Sequence, residues 1–149
     1  MKAKILIVSV ITILLAACNK DKFTTKPQLE FKSVNSFEVQ PGSRLVITLK
    51  YTDKEGDIQD SIYIIKDVPN CLQDTFGRWY PIPSGVPDIR NAEGEIEITY
   101  SHLPDATFPL IGEPSCGEND TCIYRFALSD RAGNISDTIS TPPVVIIKR

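Results

Sequence analysis

Two short stretches of the chain gather oxygen ligands. Asp53, Glu55 and Asp57 alternate around one turn, Asp130 and Asn134 frame another, and Asp60 and Asp137 lie close by. Calcium takes six to eight hard oxygens, and two adjoining loops of this composition could supply them, so calcium is the one cofactor these residues suggest. The spacing is not that of an EF-hand, because Gly56 precedes the third acidic position instead of following it. Asp, Asn and Gly also serve turns in their own right, the first two by bonding nearby backbone and the last by taking positive φ. Turn chemistry is therefore the competing reading.

The second chemistry is that of thiols. Cys71, Cys116 and Cys122 lack the spacing of two metal-binding pairs, and with His102 the only histidine there is no zinc set. One disulfide and one leftover thiol is the natural count. A Cys71–Cys116 bridge would join two long loops, whereas Cys116–Cys122 closes a smaller loop and needs no assumption about topology. Cys122 shares the parity of Tyr124 and Phe126, as a small buried residue would, and this favours the first pairing. For catalysis the chain offers little. It has no G-x-S-x-G, no phosphate-binding glycine loop and no H-E-x-x-H, and His102 reads as a surface or loop-capping residue, so no enzyme is expected. Phe76, Trp79 and Tyr80 could instead offer flat faces to a sugar ring or a partner's side chain. They could equally fold back to cover one end of the domain.

These residues need elements to position them. From Leu29 onward the apolar pattern has period two and no sustained helical period, which predicts strands. Leu29 to Val34 and Phe37 to Val39 form a first, broken strand that ends at Pro41-Gly42. Leu45, Ile47, Leu49 and Tyr51 then share one face, and Ile58 to Val68 carry apolar residues on both faces, as a central strand does. Residues 69–92 are rich in proline and glycine and read as a long loop with room for a short strand around Arg78 to Ile82; 103–120 is a second such loop. Ile96 to Tyr100, Ile123 to Leu128 and Ile135 to Ile147 complete six or seven strands, the last confined to an edge or bulged because Pro142-Pro143 cannot donate ladder bonds. If successive strands run up and down, the turns at 53–60 and 130–134 share one pole and the two long loops share the other. The fold class expected is all-β, an antiparallel β-sandwich.

The N-terminus predicts where this domain is kept. Lys2 and Lys4, the apolar run Ile5 to Leu15 broken only by Ser9 and Thr12, and the small residues before Cys18 make an export signal over residues 1–17. The run is too short to cross a bilayer, which takes roughly 20 apolar residues. Removing residues 1–17 from 149 leaves 132, enough for one domain with its own core. That part holds 14 basic and 19 acidic residues, a net charge of −5, with no basic run to neutralise phosphates, which argues against a nucleic-acid partner. Beyond the inner membrane the compartment is oxidising, which suits a disulfide.

Three motifs resemble known families. Leu15-Ala16-Ala17-Cys18 resembles the bacterial lipobox, whose cysteine is lipidated (palmitate among the acyl groups) and becomes the first residue; this implies a lipid attachment at Cys18 and a tether over residues 18–27 before a domain at 28–149. Asn19-Lys20-Asp21-Lys22 resembles the charged stretch that directs Bacteroidota lipoproteins to the outer face. Asp130-Arg131-Ala132-Gly133-Asn134-Ile135-Ser136 looks like the D-x-x-G-N-x-S turn of bacterial immunoglobulin-like domains, and Tyr51 to Asp57 like the acidic turn of cadherin-like and PKD-like domains. Together they resemble small Bacteroidota lipoproteins with one Ig-like domain. The resemblance implies a protein lipid-anchored at the outer membrane of the cell envelope, either facing the periplasm or displayed on the surface. There it would act as a binding module for glycan, peptide or protein, or as an accessory subunit of an envelope complex.

Overall fold

A computed structural model describes residues 23–149; the expected export signal and the expected lipid attachment at Cys18 lie outside the described residues. The described chain is all-β apart from one 3-10 turn at Leu72–Asp74. Its strands are β1 (Gln28–Val34), β2 (Glu38–Val39), β3 (Arg44–Asp53), β4 (Ser61–Asp67), β5 (Phe76–Pro81), β6 (Ala92–Ser101), β7 (Asp120–Ser129), β8 (Ile139–Ser140) and β9 (Val144–Ile146). They form a three-stranded sheet in the order β1-β3-β6 and a six-stranded sheet in the order β2-β9-β7-β4-β5, with β8 also on β7. Every pairing is antiparallel except that of β2 with β9.

The period-two pattern is obeyed most strictly in β3, where Leu45, Ile47 and Leu49 are fully buried and Arg44 and Lys50 are exposed. Ile62 and Ile64 of β4 and Tyr124, Phe126 and Leu128 of β7 point into the same buried cluster. Tyr100 of β6 lies 6.0 Å from Tyr124 of β7, ring centre to ring centre, so the two sheets share one core. β4 sits between β5 and β7, the central position its two apolar faces require. The strand itself is shorter than the apolar run: Ile58 and Val68 are buried just beyond its ends.

Three expectations are refined. The broken first strand is two strands in two sheets, with a bulge between Phe31 and Ser33 before the chain crosses over. The last strand is split where Pro142-Pro143 withholds its donors, into β8 and β9, both paired to β7. Residues 69–92 are not one loop at one pole. β5 pairs along β4 from Ser61 to Lys66 and carries the chain back, so residues 82–91 return to the acidic turns. There the Asn91 N–H bonds the Lys54 carbonyl at 2.8 Å, and a Cβ on Gly56, whose φ is +81°, would lie 1.9 Å from the Ile89 carbonyl oxygen. Only a glycine fits that crossing.

Candidate functional sites: an aromatic face and two poles

Strand parity separates the three aromatics of β5. Tyr63 of β4 is paired with Trp79, and Ile62 with Tyr80. Phe76 and Tyr80 therefore share the inward side with Ile62, Ile64 and Lys66, while Trp79 stands on the outer face. Phe76 packs 6.3 Å from the Tyr100 ring, and Tyr80 lines an apolar groove of about 170 Å³ between the free edges of β5 and β6, with Ile62, Ile64, Ile96, Ile98 and Tyr100. Trp79, in the stretch with room for a short strand, lies within β5 and is 47% exposed. Its ring stacks on Tyr63 at 5.0 Å with the planes tilted by 43°. Tyr63 in turn lies over Gly77, where an added Cβ would meet its hydroxyl at 2.7 Å, so the glycine makes room for the phenol. The outer aromatic surface is thus the pair Trp79 and Tyr63. Strand parity puts Tyr63 on the face opposite Ile62 and Ile64, but neither its place on the outer surface nor its strand partner was legible.

At the acidic pole the turn after β3 and the turn after β7 meet, as the alternation of strands predicts. Asp53, Asp57 and Asp130 each bring a carboxylate oxygen to within 4.8 Å of the others. Asp53 and Asp130 are almost completely buried. The N–H groups of Gly56 and Asp57 donate to Asp53 Oδ2 at 2.6 and 3.3 Å. Asn134 donates its backbone N–H to Asp130 Oδ1 at 2.7 Å and its side-chain amide to Oδ2 at 2.8 Å, so it orients Asp130 as a donor. Glu55 turns away to accept from the Thr25 hydroxyl at 3.3 Å, and Asp137 pairs with Lys26 at 2.6 Å. Three of the five candidate ligands converge, and Glu55 does not.

Burial pushes the Asp53 carboxyl above the usual carboxylate range; the Gly56 and Asp57 N–H bonds oppose this, and the charges of Asp57 and Glu55 reinforce it. An acid whose pKa rises on folding binds its proton more tightly in the native state, so stability falls as pH climbs from the ordinary value to the raised one. Asp74 and Asp105 shift the opposite way and contribute the opposite slope. We therefore expect Asp53→Asn, compared with the parent chain in urea unfolding with chelator present, to gain relative stability as pH rises above about 4. A difference independent of pH would mean that Asp53 folds without perturbation.

At the opposite pole Cys71 and Cys116 form a disulfide across a separation of 45 residues, the pairing favoured from parity, and Cys122 is free and buried. Asp74 accepts from the Ser115 N–H and hydroxyl, both at 2.7 Å, beside the bridge. Burial opposes its ionisation, but the Ser115 bonds and the nearby Lys66 charge hold its carboxyl below the usual range. Beneath it Lys66 and Asp120, both nearly inaccessible, pair at 3.2 Å. Because Cys71 is spent on the disulfide, its grouping with Asp74 and Asp120 offers no thiolate to a metal. Of the two expected placements, surface or loop-capping, His102 takes the second: it is buried, with Nε2 3.4 Å from the Ile147 carbonyl and Nδ1 3.8 Å from Glu113. Its burial follows from the Leu110 bridge to Ser101, which lays the second long loop over the end of β6.

No family model and no curated protein matches the chain. Among solved structures it is similar to the crystal structure of Spo0M, sporulation control protein, from Bacillus subtilis, with a TM-score of 0.47 and 12% identity, covering 85% of this chain and 51% of that one. The chain thus spans about half the length of that protein.

Proposed function

We propose that this chain is a lipid-anchored protein of the cell envelope whose Ig-like β-sandwich is a non-catalytic binding module. The observation that carries the reading is the outward aromatic pair Trp79 and Tyr63, held on a rigid strand face with Trp79 half exposed. An exposed indole braced by a second ring is costly to leave in water and suits the apolar face of a sugar or a peptide side chain. Lipidation at Cys18 would hold the domain at the outer membrane, and the chain's acidity leaves attachment to the lipid rather than to charge. The burial of His102 beneath the second long loop, which leaves its ring little access to a substrate, supports a role without catalysis.

The sole tryptophan of the chain makes the test direct. Titrating the full chain in detergent with envelope oligosaccharides and with short peptides should change the Trp79 emission for one class. Trp79→Ala should then reduce retention on that immobilised ligand at least tenfold, which corresponds to about 1.4 kcal/mol. The same substitution should lower unfolding stability by no more than about 1 kcal/mol, since it removes one ring contact at the surface. Emission indifferent to every ligand, together with co-purification of a larger envelope protein, would favour the accessory-subunit reading instead.

A further inference from the structure

We infer that Asp53, Asp57 and Asp130 form a site for a hard divalent cation, calcium above all, that ties the turn after β3 to the turn after β7. Their contributing oxygens all lie within 4.8 Å of one another. A calcium ion holds its ligands at about 2.3–2.6 Å, so a single ion spans oxygens up to roughly 5 Å apart. The set is all oxygen, which selects a hard ion over zinc or copper.

A second observation separates this cluster from an ordinary acidic turn. Asp53 is completely buried, yet its Oδ1 has no hydrogen-bond partner, and Asp57 Oδ1 is buried and unpartnered too. The oxygens of Asp53 and Asp130 that have partners are held by donors of the same two turns. Gly56 and Asp57 N–H groups hold Asp53 through Oδ2, and Asn134 holds Asp130 from both sides. Leaving buried carboxylate oxygens without a donor or a counter-charge is expensive. Among the described residues no ion pair reaches any of the three: Arg131 is drawn off to Asp88 at 3.2 Å, and Lys26 to Asp137. A bound dication satisfies the free oxygens and neutralises the mutual repulsion at once. It would also stiffen residues 82–91, because Gly56 is wedged against Ile89 and the Arg131 N–H bonds the Asp57 carbonyl at 2.9 Å.

The test is thermal unfolding of the full chain in detergent, with calcium chloride in excess against chelator, beside calorimetric titration with the metal alone. At about one hundred times the dissociation constant, calcium should raise the midpoint by roughly 5–10 °C, with one ion per chain. Asp57→Asn and, separately, Asp130→Asn should abolish most of that shift; two variants are used because either alone could fold poorly. The shift should grow from pH 5 to pH 7, since the ion needs the carboxylates deprotonated. No shift and no heat of binding would overturn the site and leave a shared proton as the neutralising charge. A shift that survives in both variants would overturn it equally, placing the ion elsewhere.

Discussion

Replacing Asp120 by alanine should destabilise the fold by about 3–5 kcal/mol, a large part of what a domain this size possesses. Lys66 and Asp120 are 2% and 0% exposed, with Nζ 3.2 Å from Oδ2 and 3.4 Å from the Ile111 carbonyl. Burial raises the Asp120 carboxyl above its usual range even with the Lys66 ammonium beside it, and Oδ1 is left without a partner. The pair is therefore costly to bury but costlier to break. In Asp120→Ala the ammonium would keep its desolvation cost and lose its carboxylate. Asp74 lies beside Asp120 and already feels the Lys66 charge, but its two oxygens accept from Ser115, so it should offset the loss only in part. Urea unfolding of Asp120→Ala, Lys66→Met and Lys66→Met with Asp120→Leu reads this directly. Both single variants should lose several kcal/mol, and the apolar double variant should recover most of it, as buried pairs commonly do when replaced whole. Equal losses in all three would assign the effect to packing.

Removing the disulfide should cost about as much. In the chain-entropy model a closed loop of 45 residues contributes about 4 kcal/mol by restricting the unfolded chain. Cys71→Ser with Cys116→Ser should lower the urea midpoint accordingly, and reductant should do the same to the parent chain and nothing to the variant. The Asp74 bonds to Ser115 join the same two segments, so the native contacts remain when the bridge is gone. Cys122 provides an internal control. Burial pushes its thiol up to about 12, and it should resist alkylation in the folded chain and react only on unfolding. Rapid native alkylation at Cys122 would show that this pole opens readily.

The order of difficulty in the sequence follows from the range of each interaction. Strand β3 is written locally: alternate Leu45, Ile47 and Leu49 specify one buried face whatever lies opposite. The breaks at Pro142-Pro143 and in the first strand are equally local. Parity within a strand also reaches chemistry. The burial of Cys122 was legible with Tyr124 and Phe126, whereas that of Lys66, which follows Ile62 and Ile64 on the inward side, is a finding of the structure. What parity cannot supply is the partner, since Asp120 meets Lys66 across 54 residues.

The aromatic candidates show the same boundary. Phe76, Trp79 and Tyr80 are neighbours in sequence, but once β5 pairs along β4 the two-residue repeat sends Trp79 outward and the others inward. The strand expected around Arg78 to Ile82 left out Phe76 and had no assigned partner, which hid that division, because prolines and glycines mask a strand whose stability comes from a neighbour. By itself, then, the sequence determined the all-β class, the main strands, the shared acidic pole and the favoured disulfide pairing. Those rest on alternation and on the direction reversal of successive strands. Only the tertiary structure decided that Tyr63 backs Trp79, that residues 82–91 return to the acidic turns, and that three carboxylates converge there while Glu55 turns away. Each of these depends on register between distant segments, which no local pattern encodes.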